Sequence, residues 1–549
     1  MFTRCFTFLL FAAVFSGCSP SYQGVAPVIG PKDTPESLLG ERLFREPRFS
    51  KFFVREGGGN PNAKLAQGDP ALAQLDSPRR GELRSPFATQ AMSCVACHMV
   101  DDAQGSQRGG MRVYADFAER SPIPQLSGAQ ADGQRFTARN SPSLVNAFML
   151  TTLQGDSRAD TFLLHYDGEF ASIEDLIVGG YTGRNFGWLP GEKAEALANL
   201  ARVVREDSGD NFLADRFSQG ASYREMFLGG GEGGRVTDRI RIGDDSRFDL
   251  RTASDEQVIA GVSRVIKLYL QALQFSTDPV TGEYNLSAYD QFLAANHFPR
   301  KPAEGETDVA YASRLGWEMQ ARGKPVFVPG FGARELDGAR IFLARSREAG
   351  VPGNPRGPGY FQVGNCVACH APPHFTDFRF HDTGESQDEF DAKHGQGSFS
   401  RLHVPTLAER AATHEAWLPA TGAHPHGTGL FRGGEADLGA WNVFANPDFP
   451  TPQNALEKIF GPASEETLSH TIASFKTPGL RGLAMSDPYL HTGRKANLGE
   501  VLRFYQRSSE FQRQGALRNG DPQIGLIEID DQGAASLKAF LDSLNEDYE

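Results

Sequence analysis

A mainly α chain in two related units is what this sequence predicts, and three observations predict it. The same five residues occur twice, as Cys94-Val-Ala-Cys97-His98 and as Cys366-Val-Ala-Cys369-His370. A helix of similar make leads into each: Leu38-Leu39-Gly40-Glu41-Arg42-Leu43-Phe44, ended by Pro47, and Leu336-Asp337-Gly338-Ala339-Arg340-Ile341-Phe342-Leu343, both with apolar residues at helical spacing. Strand signals are sparse, while helical stretches and turns are plentiful, with 60 Gly and 33 Pro in 549 residues.

The repeated motif carries the chemistry. Two thiols three residues apart can each add across a vinyl group of one haem, and the next residue offers an imidazole to the iron from the same turn. Four cysteines in two C-x-x-C pairs could alternatively hold one zinc, and a single pair could be a redox dithiol. Zinc explains neither His98 nor His370, and a dithiol has no need to recur with the same histidine. Two covalent c-type haems are therefore expected, attached at Cys94, Cys97, Cys366 and Cys369, with His98 and His370 as iron ligands. A few helices wrapped around a haem, with loops supplying its far side, make a small cytochrome c domain. The fold class sharpens accordingly: mainly α, two cytochrome c-like domains, each around one covalent haem, with long loop insertions.

Taken in order, the chain opens with Arg4, an apolar run from Phe6 to Phe15, and then Ser16-Gly17-Cys18. A basic start, a run of about ten apolar residues and small residues before a break make an export signal, too short for a mature membrane span. Ser16-Gly17-Cys18 resembles a bacterial lipoprotein cleavage site, with Cys18 as the lipidated N-terminus; ordinary signal cleavage nearby is the alternative. A periplasmic protein, held to a membrane only through such an anchor, is expected. Of the six cysteines only Cys5 and Cys18 lie outside the haem motifs, so no disulfide is expected. With 40% hydrophobic residues the chain can bury cores for two or more domains, and a net charge of −13 argues against nucleic acid as a partner.

The expected organisation is a signal at 1–18, a Pro/Gly-rich tether at 19–37, a first unit at 38–275, a linker at 276–332 and a second unit at 333–549. Arg139-Asn140-Ser141-Pro142-Ser143-Leu144 matches Phe475-Lys476-Thr477-Pro478-Gly479-Leu480 in its hydroxyl-Pro-x-Leu core, and Tyr166 to Ile177 aligns without gaps on His491 to Leu502. Helix Val258 to Leu273, with Val262, Val265, Ile266 and Tyr269 on one side, closes the first unit; helix Ala534 to Leu544, with Leu537, Phe540, Leu541 and Leu544, closes the second. Glu232 to Asp249, Pro299 to Asp308 and about 385–462 read as loop-rich insertions.

Each iron has one ligand from its motif, and its sixth position decides between electron transfer and chemistry. For the first haem the nearby candidates are Met99, Met111 and Met149. For the second they are Met485 and the histidines His374, His381, His394, His403, His414, His424, His426, His470 and His491. Composition leaves the choice among them open.

Several landmarks together resemble the bacterial di-haem cytochrome c peroxidase and MauG family. They are both C-x-x-C-H motifs, Leu39-Gly40-x-x-Leu43-Phe44, Arg139-Asn140-Ser141-Pro142, Tyr166-Asp167-Gly168, Phe375-Thr376-Asp377 with Phe380-His381-Asp382-Thr383-Gly384, Phe475-Lys476-Thr477-Pro478, and Pro488-Tyr489-Leu490-His491 through Tyr505. They follow the family's order over about residues 38 to 544. The resemblance implies that the second haem's far ligand stands at Tyr505, where MauG has Tyr and the peroxidases have Met; tyrosinate favours ferric and higher oxidation states. The peroxidases' blocking histidine before Arg139 is absent from Asp132 to Ala138, which implies an open or weakly filled first haem. In the repeat, the position matching Tyr505 is Gly180, with Tyr181 next to it.

The family's inter-haem tryptophan falls on Tyr166, an aromatic able to relay an electron. Its distal Gln and Glu fall on Leu176 and Phe186, so the acid–base role in splitting peroxide passes to Glu192 if an insertion shifts the register. The resemblance further implies one calcium between the units, held by Asn140, Ser486 and Pro488. The function it implies is an oxidoreductase of the haem peroxidase type. Hydrogen peroxide is used at the His98 haem, oxidising equivalents pass through Tyr166 to the His370 haem, and a small redox protein or other donor supplies the electrons. A non-enzymatic di-haem electron carrier is the alternative.

Overall fold

The computed structural model describes residues 34–75, 87, 90–101, 112–115, 139–151, 161–231, 234–353, 357, 359–412, 436–447 and 449–546. The segment expected to be an export signal, with Cys5 and Cys18, most of the expected tether, Met111, the 132–138 stretch and His414, His424 and His426 lie outside those residues.

The first unit is built on two crossed helices. Helix α1 (Pro35–Phe44) starts where Thr34 accepts the Ser37 N–H and Pro35 presets the first turn. Leu39 and Leu43 are fully buried on its inner face, each stabilising by roughly 1.5–3 kcal/mol. Helix α2 (Ile173–Thr182) is capped by Ser172, and α3 (Asp255–Ala272) by a Ser254–Gln257 capping box. Val262, Val265, Ile266 and Tyr269 of α3 are buried, as the expected closing helix requires. At the crossing of α1 and α3 a Cβ on Gly40 would stand 2.1 Å from the Val265 carbonyl oxygen.

The second unit repeats this construction. Helix α4 (Ala333–Leu343) crosses the closing helix, α6 (Asp531–Asp542), at Gly338, where a Cβ would stand 2.0 Å from the Ser536 carbonyl oxygen and 2.8 Å from the Phe540 Cβ. In the first unit the corresponding clash partner is the Tyr269 Cβ, also at 2.8 Å. Only glycine lets the backbones approach this closely, so both units use the same crossing. In chain order between these helices comes α5 (Leu498–Arg513), capped by Asn497, which packs on α6 and carries Tyr505.

Strand is confined, among the described residues, to three antiparallel ribbons: β1 (His98–Asp101) with β2 (Arg112–Ala115), β3 (Val351–Pro352) with β4 (Phe361–Gln362), and β5 (Phe380–His381) with β6 (Phe475–Lys476). The fold is mainly α, as the patterning predicts.

The apolar interior divides in three. One cluster draws almost wholly on the first unit and one on residues Tyr289 to Leu544. The third corrects an expectation. The 385–462 stretch, read as loop, contains helices Glu385–His394, Leu407–Ala412 and Gln453–Phe460 and a core of its own around Phe390, Phe399, Trp441, Val443, Phe444 and Leu456. Leu163 and Phe380 belong to that core, which anchors the insertion to both units.

A buried polar network ties α1 to the middle of the first unit. Arg42 pairs with Asp207 at 2.6 Å and lies 3.8 Å over the Tyr223 ring, and Arg48 bridges Asp207 at 3.0 Å and Glu46 at 2.7 Å.

Candidate haem and electron-transfer site

Each C-x-x-C-H motif forms a single 3₁₀ turn, Cys94–Ala96 and Cys366–Ala368. The second is docked onto the end of α4: Gly364 donates to the Ile341 carbonyl at 2.9 Å, Asn365 to that of Ala344 at 2.9 Å, and Asn365 takes φ 51° to turn into the motif. No disulfide joins the four motif cysteines, and burial would push the thiols of Cys94 and Cys366 up to about 12. The two pairs do not converge on one point. Among the described residues the groups able to hold a metal are Cys369 with Asp377 and His381, and His165 with Asp167 and Glu169. A four-cysteine zinc is thereby excluded.

The histidines settle whether a haem fits. His98 Nδ1 lies 3.0 Å from the Pro142 carbonyl oxygen and His370 Nδ1 lies 2.9 Å from that of Phe375. A carbonyl only accepts, so both rings carry their proton on Nδ1 and keep the Nε2 lone pair for a metal. Burial lowers both pKa values, that of His98 to about 4, so the imidazoles are neutral at pH 7. Pro142 and its repeat counterpart Pro478 each present a carbonyl to the histidine of their unit. Two half-buried cysteines on one turn beside a neutral, oriented imidazole suit a covalent haem at each motif.

Between the motifs the two units meet with a local two-fold relation. The Asn140 N–H donates to the His491 carbonyl at 2.7 Å, and the Lys476 N–H donates to the Tyr166 carbonyl at 2.7 Å. Asn140 corresponds to Lys476 in the repeat and Tyr166 to His491, so the same bond is made in both directions. The Tyr166 and His491 rings stand 6.3 Å apart, and His491 stacks on Phe475 at 3.6 Å. Arg139 bridges buried Asp167 at 2.7 Å and Asp437 at 2.5 Å. Burial alone would raise the Asp437 carboxyl, and Arg139 brings it below the ordinary range, whereas burial keeps Asp167 raised despite the same cation.

Tyr505 is the residue expected as the far ligand of the second haem. Tyr505 on α5 packs on the second core, and its phenol pKa is raised by burial first and then by Cys369, Cys366 and Glu385. In the first unit Tyr181 hydrogen-bonds Cys94 and donates to the Leu43 carbonyl at 2.9 Å, which occupies its proton against α1. Glu192 pairs with Lys51 at 2.5 Å and accepts the Leu189 N–H at 2.9 Å; against the upward push of burial, Lys51 holds its carboxyl low. Phe186 is buried beside Tyr181, and Leu176 packs against the first core.

Of the residues expected to hold calcium, two meet through a hydrogen bond: Asn140 Nδ2 donates to the Pro488 carbonyl oxygen at 2.5 Å. Ser486 lies two residues earlier, with its hydroxyl on the Leu483 carbonyl at 3.2 Å. The repeat counterpart of this contact is made by Lys476, whose ammonium bonds the Leu163 carbonyl at 2.5 Å and lies 3.9 Å over the Phe162 ring. Leu163 occupies the position of Pro488, so one side of the pseudo-axis is filled by a side-chain cation. Burial lowers Lys476 to about 7.

Sequence reasoning missed three groups here. His381 is clamped by Asp521 at 2.6 Å and Asp377 at 2.9 Å, and these carboxylates outweigh burial and hold it up at about 12. Glu385 accepts from Thr492 at 2.5 Å and pairs with Lys495 at 3.2 Å near Tyr505. Tyr284 joins His374 and Asn146 across the units. Asp377 and His381 are four residues apart, but each group also needs a partner about 90 or more positions away, which no local pattern signals.

No protein-family model matches the chain, and no curated protein matches it. Solved structures do. The chain is similar to a MauG-like protein associated with microbial copper homeostasis, at 16% identity, over 97% of this chain and 96% of that one, with a TM-score of 0.39. It is also similar to the diheme peroxidase BthA from Burkholderia thailandensis, at 17% identity over 96% and 91% of the two chains with a TM-score of 0.38. A variant of BthA aligns at 16% identity over 96% and 90%, with a TM-score of 0.39.

Proposed function

We propose that this chain is an exported di-haem c-type oxidoreductase of the cytochrome c peroxidase and MauG kind, with hydrogen peroxide used at the His98 centre and electrons exchanged through the His370 centre. The observation that supports it most directly is the pairing of the two motif histidines, each with Nδ1 on a backbone carbonyl and Nε2 left for iron. Haem at each motif would supply the iron that activates peroxide and holds oxidising equivalents.

The chain's own groups have separable tasks. His98 and His370 orient their rings through Pro142 and Phe375. Tyr166 places an aromatic ring at the junction of the units, and Arg139 neutralises the carboxylates around it. Tyr505 would be the far ligand of the second iron. Asn140, Pro488 and Ser486 would take one calcium through oxygen atoms.

A second reading, a non-enzymatic electron carrier, is favoured by one observation: Glu192 is engaged with Lys51 and its own turn, and Leu176 and Phe186 offer no acid–base group. Steady-state turnover of the holoprotein with peroxide and a reduced small cytochrome separates the two. Turnover lost in His98→Ala supports the oxidoreductase; no turnover with any donor supports the carrier. The anchor has its own test. Membrane partitioning abolished by Cys18→Ala supports a lipoprotein, and an unmodified N-terminus elsewhere removes it.

A further inference from the structure

Tyr284 lies in the segment joining the two units, 6% exposed, and its hydroxyl meets His374 Nδ1 at 3.1 Å. Its neighbours fix the direction of that bond. Asn146 accepts the Phe275 N–H on Oδ1 at 3.0 Å, so its Nδ2 faces Tyr284 and donates to the phenol oxygen at 2.9 Å. An amide NH₂ cannot accept, so with His374 protonated on Nε2 the acceptor for the phenol's own proton is His374 Nδ1.

The guanidinium of Arg481 stands 3.8 Å from the Tyr284 ring centroid and is held there by Asp290 through two hydrogen bonds of 2.9 Å. A cation against the face disfavours a ring that loses an electron and keeps its proton, because that ring would itself become cationic. An electron therefore leaves this phenol together with its proton, and the acceptor for the proton is already hydrogen-bonded. At rest the ring stays protonated, since burial holds it up at about 12 against the pull of Arg481. His374 also leads directly to the second motif: the next residue, Phe375, takes the His370 Nδ1–H on its carbonyl.

We propose that Tyr284 and His374 form a proton-coupled redox pair serving the His370 centre. The inference rests on the peroxide-using di-haem reading. One electron passes from Tyr284 to the haem centre after peroxide has oxidised it, reducing that centre by one equivalent. The Tyr284 O–H bond breaks and an N–H bond forms at His374 Nδ1, leaving a neutral phenoxyl beside an imidazolium. One electron from the external donor returns the proton and restores the phenol.

The test oxidises holoprotein carrying ring-deuterated tyrosine in two ways, with hydrogen peroxide and with a photoexcited ruthenium polypyridyl plus persulfate, and reads freeze-quenched electron paramagnetic resonance. The expected result is a tyrosyl signal narrowed by deuteration that falls at least fivefold in Tyr284→Phe. It should fall similarly in His374→Gln, which keeps a hydrogen-bond acceptor but has no base, so a merely structural contact would be spared. A wild-type signal in either variant, or no tyrosyl signal under either oxidant, overturns the pair. A haem spectrum unmoved by peroxide sinks the peroxide reading instead, and the ruthenium arm still decides the pair by the same two variants.

Discussion

The Tyr166 and His491 rings lie 6.3 Å apart, and each residue is the other's counterpart in the internal repeat. The pseudo-two-fold axis of the two units therefore passes close to this contact. An axis brings equivalent positions together, so one aromatic position in the ancestral unit became two facing rings at the junction. Drift since then is visible in what the pairs carry. Asn140 meets the Pro488 carbonyl where Lys476 meets that of Leu163, and Asp167 sits with Arg139 where Thr492 sits with Glu385. The units share a frame and differ in charge.

Gly338→Ala should destabilise the protein by about 2–4 kcal/mol, because the new Cβ would lie 2.0 Å from the Ser536 carbonyl oxygen at the crossing of α4 and α6. Gly180→Ala is the control: its Cβ meets nothing within 4 Å, and alanine in a helix gains up to ~1 kcal/mol over glycine. Denaturant midpoints should move in opposite directions. Equal shifts would mean the helix crossing tolerates separation.

Asp207 predicts an acid limb. Burial pushes its carboxyl up, and Arg42 and Arg48 more than reverse this, bringing it from 3.8 to about 2. A folded pKa below the unfolded one contributes stability that is present above about pH 4 and lost as the pH falls toward 2, worth roughly 2–3 kcal/mol here. Asp207→Asn should lower stability at neutral pH by ~3–5 kcal/mol, by leaving the cations buried and unpaired, and flatten the slope of stability between pH 4 and 2. Denaturation midpoints across that range measure both.

What was legible in the sequence was local. The haem motifs, the leading helices and the closing helices with Val262, Tyr269, Leu537 and Phe540 are each written within one or two turns, and the gapless repeat placed Tyr166 against His491's position. The insertion was misread because Trp441, Val443 and Phe444 are not spaced periodically, and their core forms only with Phe390, Phe399 and Leu456 from other elements. The bond of Asn365 to α4, the Arg139 bridge to Asp437 and the Tyr284–His374 contact join distant residues. A single sequence carries no trace of such pairings.

Attachment chemistry gives a direct check on the haem reading. Acid-acetone-washed, denatured protein should retain two haems, and Cys94→Ala with Cys97→Ala should retain one, measured by pyridine haemochrome against protein mass. Loss of all haem from the unmodified chain would remove covalent attachment. His98 and His370 would then need another metal partner.

The last prediction concerns Tyr505, whose phenol pKa is raised by burial first and by the neighbouring Glu385 carboxylate. Binding to ferric iron would replace the proton and remove that opposition, since the phenolate's charge is then met by the metal. A tyrosinate stabilises ferric iron, whereas a thioether stabilises ferrous iron and raises the potential. If Tyr505 is the far ligand of the His370 haem, Tyr505→Phe should convert that haem's ferric spectrum from six-coordinate toward five-coordinate, and Tyr505→Met should raise its potential. The His98 haem should keep its spectrum in both. A ferric spectrum unchanged in Tyr505→Phe would leave the phenol as packing on Phe504 and transfer the ligand role to Met485 or one of the histidines after Cys369. With that, the peroxidase or carrier side of the family resemblance would gain over the MauG side.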